Sequence, residues 1–402
     1  MRLKPLLIVA LLFGSIHAMS QDDSLKSMDI YGFVMTDAGY NANAIDPNWY
    51  DVIRTTKLPA YKNQYGPDGN TYFSVRQTRF GVKGYTHTPL GLLYTQFEWE
   101  LFGTGVDAGQ TTLRLRHAYG EIGKFGVGQY WSPFMDIDVF PNTVEYWGPP
   151  GMAFFRNIQI RYMPIKGATR LTIALERPGA SADQGIYAEH IAIQNVKPHF
   201  DLPDLSAEYR YAGNFGYLEL AGIVRKIGWK DLSGSPTVNL SGTATGWGLN
   251  FSTNINLGKT SVFRGQYLYG EGIENYMNDA TIDVGVEGDS TNTAKPIKGK
   301  ALPVQGIVAF LDNNWNSKLS TSIGYSSVNI DNTSGTAANA FKHGDYAIVN
   351  LLYTPVKNFM FGIELQYGKR TNFKDDFTSD ITKVQLSFKY SFSHTLYRTE
   401  NK

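Results

Sequence analysis

Arginine and carboxylate side chains at alternating positions of short apolar-rich runs are the residues of this sequence best suited to chemistry. In Thr112-Leu113-Arg114-Leu115-Arg116 the leucines share one parity and the guanidinium groups the other. Arg161 shares a face with Gln159, while Ile158, Ile160 and Tyr162 share the opposite one; Arg79 precedes Phe80-Gly81-Val82 in the same sense. By that rule Arg170, Arg210 and Arg264 also lie on the polar face, whereas Arg76 has the opposite parity. Glu98 and Glu100 alternate with Phe97, Trp99 and Leu101, and Asp136, Asp138 and Glu145 follow in an irregular stretch that runs to Arg156. Guanidinium groups grip carboxylates bidentately, so such a cluster either favours small anions or pins the chain's own Asp and Glu side chains. The sequence admits both.

Other chemistries are poorly served. The absence of Cys removes disulfide scaffolds, thiol redox motifs, thiolate metal sites and Cys nucleophiles. Histidines stand at 17, 87, 117, 190, 199, 343 and 394 with no two at metal-ligand spacing, so neither a metal nor a cofactor is expected. His117 and Glu121 fall on the outward parity of their run, which reads as a subunit contact. A membrane-embedded enzyme with a Ser/His pair on that face is the catalytic alternative, but spacing identifies no partner Ser, and no catalytic residue is assigned. Asp279, Asp283, Glu287 and Asp289 read as solvated loop carboxylates rather than a cation site. With 37 Lys plus Arg against 36 Asp plus Glu, the chain is not built to bind nucleic acid.

The elements that must position these groups are strands. Apolar residues make up 42% of the chain and aromatic residues 14%, with 41 Gly, a composition that favours β-structure. Val384, Leu386, Phe388, Tyr390 and Phe392 alternate with Gln385, Ser387, Lys389 and Ser391, and similar dyads recur at 97–101, 171–176, 247–256 and 361–367. Sixteen runs follow this pattern: 28–41, 72–86, 91–103, 110–122, 124–130, 156–163, 168–177, 204–213, 215–228, 243–256, 260–271, 302–312, 317–330, 343–354, 358–370 and 381–392. Their connections alternate without exception between long polar or Gly/Pro-rich segments and turns as short as Gly123, Asn214 or Gly258-Lys259. A soluble sandwich has no reason to sort its loops this way, whereas a barrel threaded through one membrane does. Rings at strand ends, such as Tyr209, Tyr211, Tyr267, Tyr269, Tyr353 and Tyr390, suit interfacial girdles. The fold expected is therefore all-β, a transmembrane antiparallel barrel of about 16 strands.

Residues 1–20 read as an export signal, with Arg2 and Lys4 ahead of the apolar run Leu6 to Phe13 and small residues before Gln21. That run is too short for a span of about 20 residues. Its removal takes two basic residues and leaves 35 against 36, a charge of −1, on one barrel domain over 21–402. The connection over 131–155 carries Trp131, Phe134, Met135, Trp147 and four prolines, an unusual content for a solvated loop, so it is expected to fold onto the inner wall and narrow the lumen. A basic wall would then face an acidic loop across a constriction made by Arg79, Arg114, Arg116, Arg156, Arg161, Glu98, Glu100, Asp136, Asp138 and Glu145.

Four segments carry a resemblance: Arg76-Gln77-Thr78-Arg79-Phe80-Gly81, Thr86-His87-Thr88-Pro89-Leu90-Gly91, Gly128-Gln129-Tyr130-Trp131-Ser132-Pro133-Phe134-Met135-Asp136, and Tyr146-Trp147-Gly148-Pro149-Pro150-Gly151 through Arg156 to Gln159-Ile160-Arg161-Tyr162. In these the chain resembles trimeric general porins, and most specifically the DcaP-like family. The resemblance implies an outer-membrane homotrimer whose inward loop narrows each pore and whose arginines favour dicarboxylates and similar small anions. Two features depart from it: only Gln21 to Ser27 precede the first run, where relatives often carry a helical extension, and ten residues follow Phe392, where many barrels end on the aromatic. The function expected is passive diffusion of small hydrophilic solutes, preferably anions. The alternatives are a pore dedicated to a sugar or other neutral solute, for which loop Trp and Tyr would be stacking surfaces, and an outer-membrane enzyme. A plug-gated transporter is disfavoured, because the chain is too short for about 22 strands.

Overall fold

Strict two-residue alternation commits a chain to strands, because only an extended backbone places i, i+2 and i+4 on one face. The computed structural model describes residues 26–179 and 190–398; the expected export signal at 1–20 lies outside them. Sixteen antiparallel strands run in chain order: β1 Lys26–Asn41, β2 in two pieces (Asn70–Ser74 and Arg79–Thr88), β3 Gly91–Phe102, β4 Thr111–Ile122, β5 Phe125–Trp131, β6 Arg156–Ile165, β7 Arg170–Glu176 and β8 Asp204–Gly213. The second half comprises β9 Gly216–Asp231, β10 Gly242–Leu257, β11 Ser261–Glu271, β12 Pro303–Asn314, β13 Leu319–Ile330, β14 Phe341–Val356, β15 Phe359–Asn372 and β16 Thr378–Arg398. Each strand pairs with its neighbours in sequence, and β16 returns to β1 from Lys26 opposite Arg398 to Asn41 opposite Lys383. Closure leaves no free sheet edge. Among the described residues no helix is long and apolar enough to cross a membrane.

All sixteen expected runs are strands, with shifted ends. β16 continues to Arg398, six residues past Phe392. Two further pairings lie in the long loops: Val196–Pro198 against the end of β9, and a hairpin of Val284–Gly288 with Ile297–Ala301. On β16 the parity is plain, since Val384, Phe388 and Tyr390 are exposed outward while Lys383, Gln385 and Ser387 are fully buried. An apolar exterior suits lipid, and the polar interior is buried because long loops fill it.

Parity fails in two places. In β4, Glu98 stands opposite His117 but Trp99 opposite Leu115, so Arg116 is an extra residue in a β-bulge. Arg116 and His117 therefore both turn inward, 3% and 2% exposed. The outward placement of His117 and Glu121 is corrected accordingly: His117 packs between Tyr130 and Trp131 at centroid distances of 4.8 and 4.7 Å, and Glu121 accepts a hydrogen bond from the inward Tyr119 hydroxyl. Neither the subunit contact nor the lipid-facing catalytic His survives that correction. In β2 the ladder breaks over residues 75–78, which brings Arg76 into the interior, fully buried and 2.6 Å from Asp51.

Three long loops supply the interior packing: the first (42–69), the third (132–155) and the sixth (272–302). Phe134, Met135 and Phe155 of the third pack with Ile273, Tyr276 and Met277 of the sixth and with Ala221, Ile223 and Leu268 of the wall. Ile45, Ile53 and Leu58 of the first join Val139 and Met152 of the third against Val308, Phe310 and Ile348. Irregular backbone in a barrel needs partners for its amides and carbonyls. The wall supplies them: Glu364 accepts from the amides of Val144 and Glu145 at 3.0 and 3.1 Å, Asn350 donates to the Asn142 carbonyl at 2.8 Å, and Asn250 donates to the Phe134 carbonyl at 2.9 Å.

Candidate pore constriction

What the loops leave open is a path of two cavities. The inner one, about 290 Å³, lies between the third loop and the wall made by β1, β2, β4, β6, β15 and β16. Arg79, Arg114, Arg116, Arg156 and Lys389 line it on the wall side, and Glu145, Tyr146, Trp147 and Phe154 on the loop side. The outer one, about 610 Å³, opens among the first, second and sixth long loops. Both are lined by Arg114, Trp147, Met277 and Asn278, so these four residues frame the passage from one to the other.

The basic wall is built as a two-layer ladder. Glu100, buried at 1% exposure, sits 3.0 Å from Arg79, 2.8 Å from Arg116 and 3.9 Å from Arg114, and accepts the Tyr146 hydroxyl. Glu98 lies 2.6 Å from Arg116 and 3.8 Å from Arg79, and accepts the Tyr31 hydroxyl at 2.8 Å. Two carboxylates thus stand behind the arginines and fix their heads. Lys389 stacks over Phe33 at 4.2 Å and Arg79 over the same ring at 5.3 Å, while Arg156 lies 5.3 Å from the Trp131 ring. Five cationic side chains line the inner cavity against Glu98, Glu100 and Glu145, an excess of two positive charges if all three carboxylates are ionised.

The loop's aspartates are not where the parity argument placed them. Asp136, fully buried, is 2.6 Å from Arg210 and accepts from the Tyr217 and Ser252 hydroxyls at 2.6 and 2.7 Å; Asp138 is 2.6 Å from Arg210. Both point away from the basic wall because β8 to β10 offer them a complete donor set. They pin the loop. Arg161 also stays out of the inner cavity: it bonds Gln159 and the Trp131 carbonyl and stacks on Tyr130 at 5.0 Å, beside a smaller pocket near the short turn at Lys166.

Glu145 is the acidic residue that does reach the cavity. Its carboxylate accepts from the amides of Ile53 and Gly148, tying the first loop to the third, and burial pushes its carboxyl up to about 7 even though Lys383 draws it down. Arg54 lies between the indoles of Trp49 and Trp147, 4.3 and 4.1 Å from their centroids, and pairs with Asp279 at 3.0 Å. Asp279 also accepts from the hydroxyls of Thr55 and Thr56, so it is a buried staple between the first and sixth loops rather than a solvated carboxylate. Sequence reasoning missed Lys389 and Arg54 as lining residues. Lys389 was visible in the parity of β16; nothing periodic marks Arg54.

The fold is similar to that of the outer membrane channel DcaP of Acinetobacter baumannii, with a TM-score of 0.74 and 20% identity over 91% of this chain and 97% of that one. It is also similar to an anion-selective porin from Comamonas acidovorans, at TM-score 0.57 and 11% identity over 91% and 100% of the two chains. OmpF of Salmonella typhi in complex with daunomycin follows at 0.55 and 12%, over 91% and 97%. No curated protein sequence matches. The model of the DcaP outer membrane protein family matches residues 17–392, nearly the whole chain, and with the closed barrel and its loop-narrowed lumen this places the chain in that family as an outer-membrane channel protein.

Proposed function

We propose that this channel admits small hydrophilic solutes by passive diffusion and prefers anions such as dicarboxylates. The observation that carries this reading is the inner cavity, where the heads of Arg79, Arg114, Arg116 and Arg156 stand on one wall with only Glu145 facing them. In a narrow, low-dielectric passage an excess of fixed positive charge raises the local anion concentration. Because Glu98 and Glu100 already hold part of the capacity of Arg79 and Arg116, an arriving carboxylate meets a donor array that is partly committed, which favours release as much as capture.

A neutral-solute pore would use Trp147 as a stacking surface, and Trp147 does line both cavities; one of its faces, however, is covered by Arg54. We further propose a homotrimer embedded in outer-membrane lipid, and residues 1–20 as a cleaved signal ahead of one barrel unit over 21–402.

The test is conductance in planar bilayers across a salt gradient. The expected outcome is current steps in groups of three, a reversal potential of anion-selective sign, and flicker when a dicarboxylate such as succinate is added. A cation-selective or zero reversal potential would overturn the anion preference, and single steps only would overturn the trimer. The N-terminal residue of the purified protein, read by mass spectrometry, checks the cleavage.

A further inference from the structure

The outer cavity contains an acid that the rest of the molecule does not use. Glu274 opens the sixth loop, is 1% exposed, lines the cavity, and neither of its carboxylate oxygens has a hydrogen-bond partner among the described residues. His190, nine-tenths buried, lines the same cavity, and neither ring nitrogen has a hydrogen-bond partner among the described residues. Buried polar groups are nearly always satisfied, so two such side chains on one cavity mark a place where a ligand supplies what the protein does not.

The surrounding charges are committed elsewhere. Asp283 is 3.1 Å from Arg225, accepts from the Asn275 amide at 2.8 Å and stands 3.7 Å from His190 Nδ1, beyond hydrogen-bond reach. Arg225 is further held by Asp204 at 3.0 Å and the Gly272 carbonyl at 2.8 Å. Burial and the Asp283 charge push the Glu274 carboxyl well above its ordinary range, and burial pushes the His190 imidazole down. An ammonium group is the chemistry that answers each of them: it donates to a carboxylate and to a ring nitrogen, and a proton on the carboxyl leaves to water as it binds.

Elsewhere the same cavity is basic. Lys57 exposes its side chain there, Arg54 lines it, and Arg114 belongs to both this cavity and the inner one. A simple cation would be repelled at that ring, and a dianion carries no N–H donor to offer Glu274 and His190. A solute with an ammonium at one end and a carboxylate at the other fits the two poles, and a volume of about 610 Å³ accepts one that, extended, is about 7 Å long. We propose that the outer cavity is a docking site for zwitterionic solutes of short-peptide size, whose ammonium seats at Glu274 and His190 while the carboxylate turns toward Lys57 and Arg114. Only the final step, passage of the carboxylate from Arg114 into the inner cavity, rests on the anion-favouring reading above.

The test uses the purified pore in planar bilayers with dialanine or N-acetyl-dialanine added on the long-loop side. The acetylated peptide keeps the carboxylate and lacks the ammonium. Wild-type current is expected to be blocked by dialanine at a concentration about tenfold lower than by the acetylated peptide, one charge-assisted contact being worth about that factor. In Glu274→Gln the two peptides are expected to block alike. Equal block of the wild-type pore overturns the docking site without any variant, and a preference for dialanine that persists in Glu274→Gln overturns the role of Glu274. A wild-type pore lacking anion selectivity yet preferring dialanine would sink the anion reading and leave the docking site standing.

Discussion

Arg114 and Arg116 are two residues apart and face the same cavity, yet they are built differently. Arg116 is buried with both Glu98 and Glu100 within 2.8 Å, whereas Arg114 stands 3.9 Å from Glu100 and bonds the Phe102 carbonyl. Removing one partner from a buried ion pair costs about 3–5 kcal/mol. Arg116→Ala, which strips two buried carboxylates of their partner, is therefore expected to lower the temperature at which the barrel loses its heat-modifiable gel mobility by more than Arg114→Ala does. Both are expected to reduce anion selectivity; equal melting of the two variants would show that the Glu98 and Glu100 pairs carry no stability. Glu145 makes a different prediction. Its carboxyl stands at about 7 instead of 4.5, so the folded protein holds the proton more tightly than the unfolded chain does. The resulting penalty is absent below 4.5, grows through the interval and is complete above about 7, on the order of 3 kcal/mol. Since the ionised form adds a negative charge to the inner cavity, anion selectivity is expected to fall as pH rises from about 6 to about 8, and in Glu145→Gln to stay level over that range. A wild-type reversal potential that does not move with pH would remove Glu145 from the conducting path.

At the level of the element, the third loop is held by a few contacts whose loss has distinct signatures. Asp136→Asn leaves Arg210 with a weakened partner and is expected to loosen the loop, giving noisier single-channel current with the selectivity retained. Quiet, wild-type-like traces would mean the loop is seated by its apolar contacts alone. Gly151 marks the closest approach of the loop to the wall: a Cβ there would lie 2.1 Å from the Ser327 carbonyl oxygen and 2.7 Å from the Ile307 amide nitrogen, both backbone atoms that cannot step aside. Overpacking of this kind costs about 1–3 kcal/mol, so Gly151→Ala is expected to lift the loop from β12 and β13 and raise single-channel conductance. These contacts also explain what could be read from the sequence. Strand positions were legible because lipid on one side and a polar lumen on the other impose a period of two. The bulge at Arg116 was not, since an inserted residue leaves no mark in the alternation before it and inverts everything after it, which is how His117 and Glu121 were assigned to the wrong face. Asp136 and Asp138 were legible as loop acids but not as partners of Arg210, which lies more than 70 residues away and meets them only when the barrel closes. The third loop announced its burial through Trp, Phe and Pro; the first and sixth loops carry Trp49, Ile53 and Tyr276 inward with no such concentration of signal.

For the whole molecule, sixteen strands would leave a lumen wide enough for an aqueous channel, and three loops reduce it to two cavities in series joined at Arg114, Trp147, Met277 and Asn278. Conduction is then governed by a short segment with fixed charge, not by the barrel's width. Two physical origins of anion preference can be separated at this scale. If the excess positive charge acts as a field, its reach shrinks with the Debye length, about 10 Å at 0.1 M and about 3 Å at 1 M ionic strength. If instead each anion is held by direct contact with guanidinium groups, screening matters little at hydrogen-bond distance. The inner cavity favours the first origin for simple ions, because Glu98 and Glu100 already occupy the arginine heads from behind and leave net charge rather than vacant forks. Anion-to-cation permeability is therefore expected to drop several-fold between 0.1 M and 1 M KCl, measured by reversal potential at a constant concentration ratio. A permeability ratio unchanged over that range would assign the preference to contact binding, and the arginines would then have to exchange Glu98 and Glu100 for the passing anion at every step.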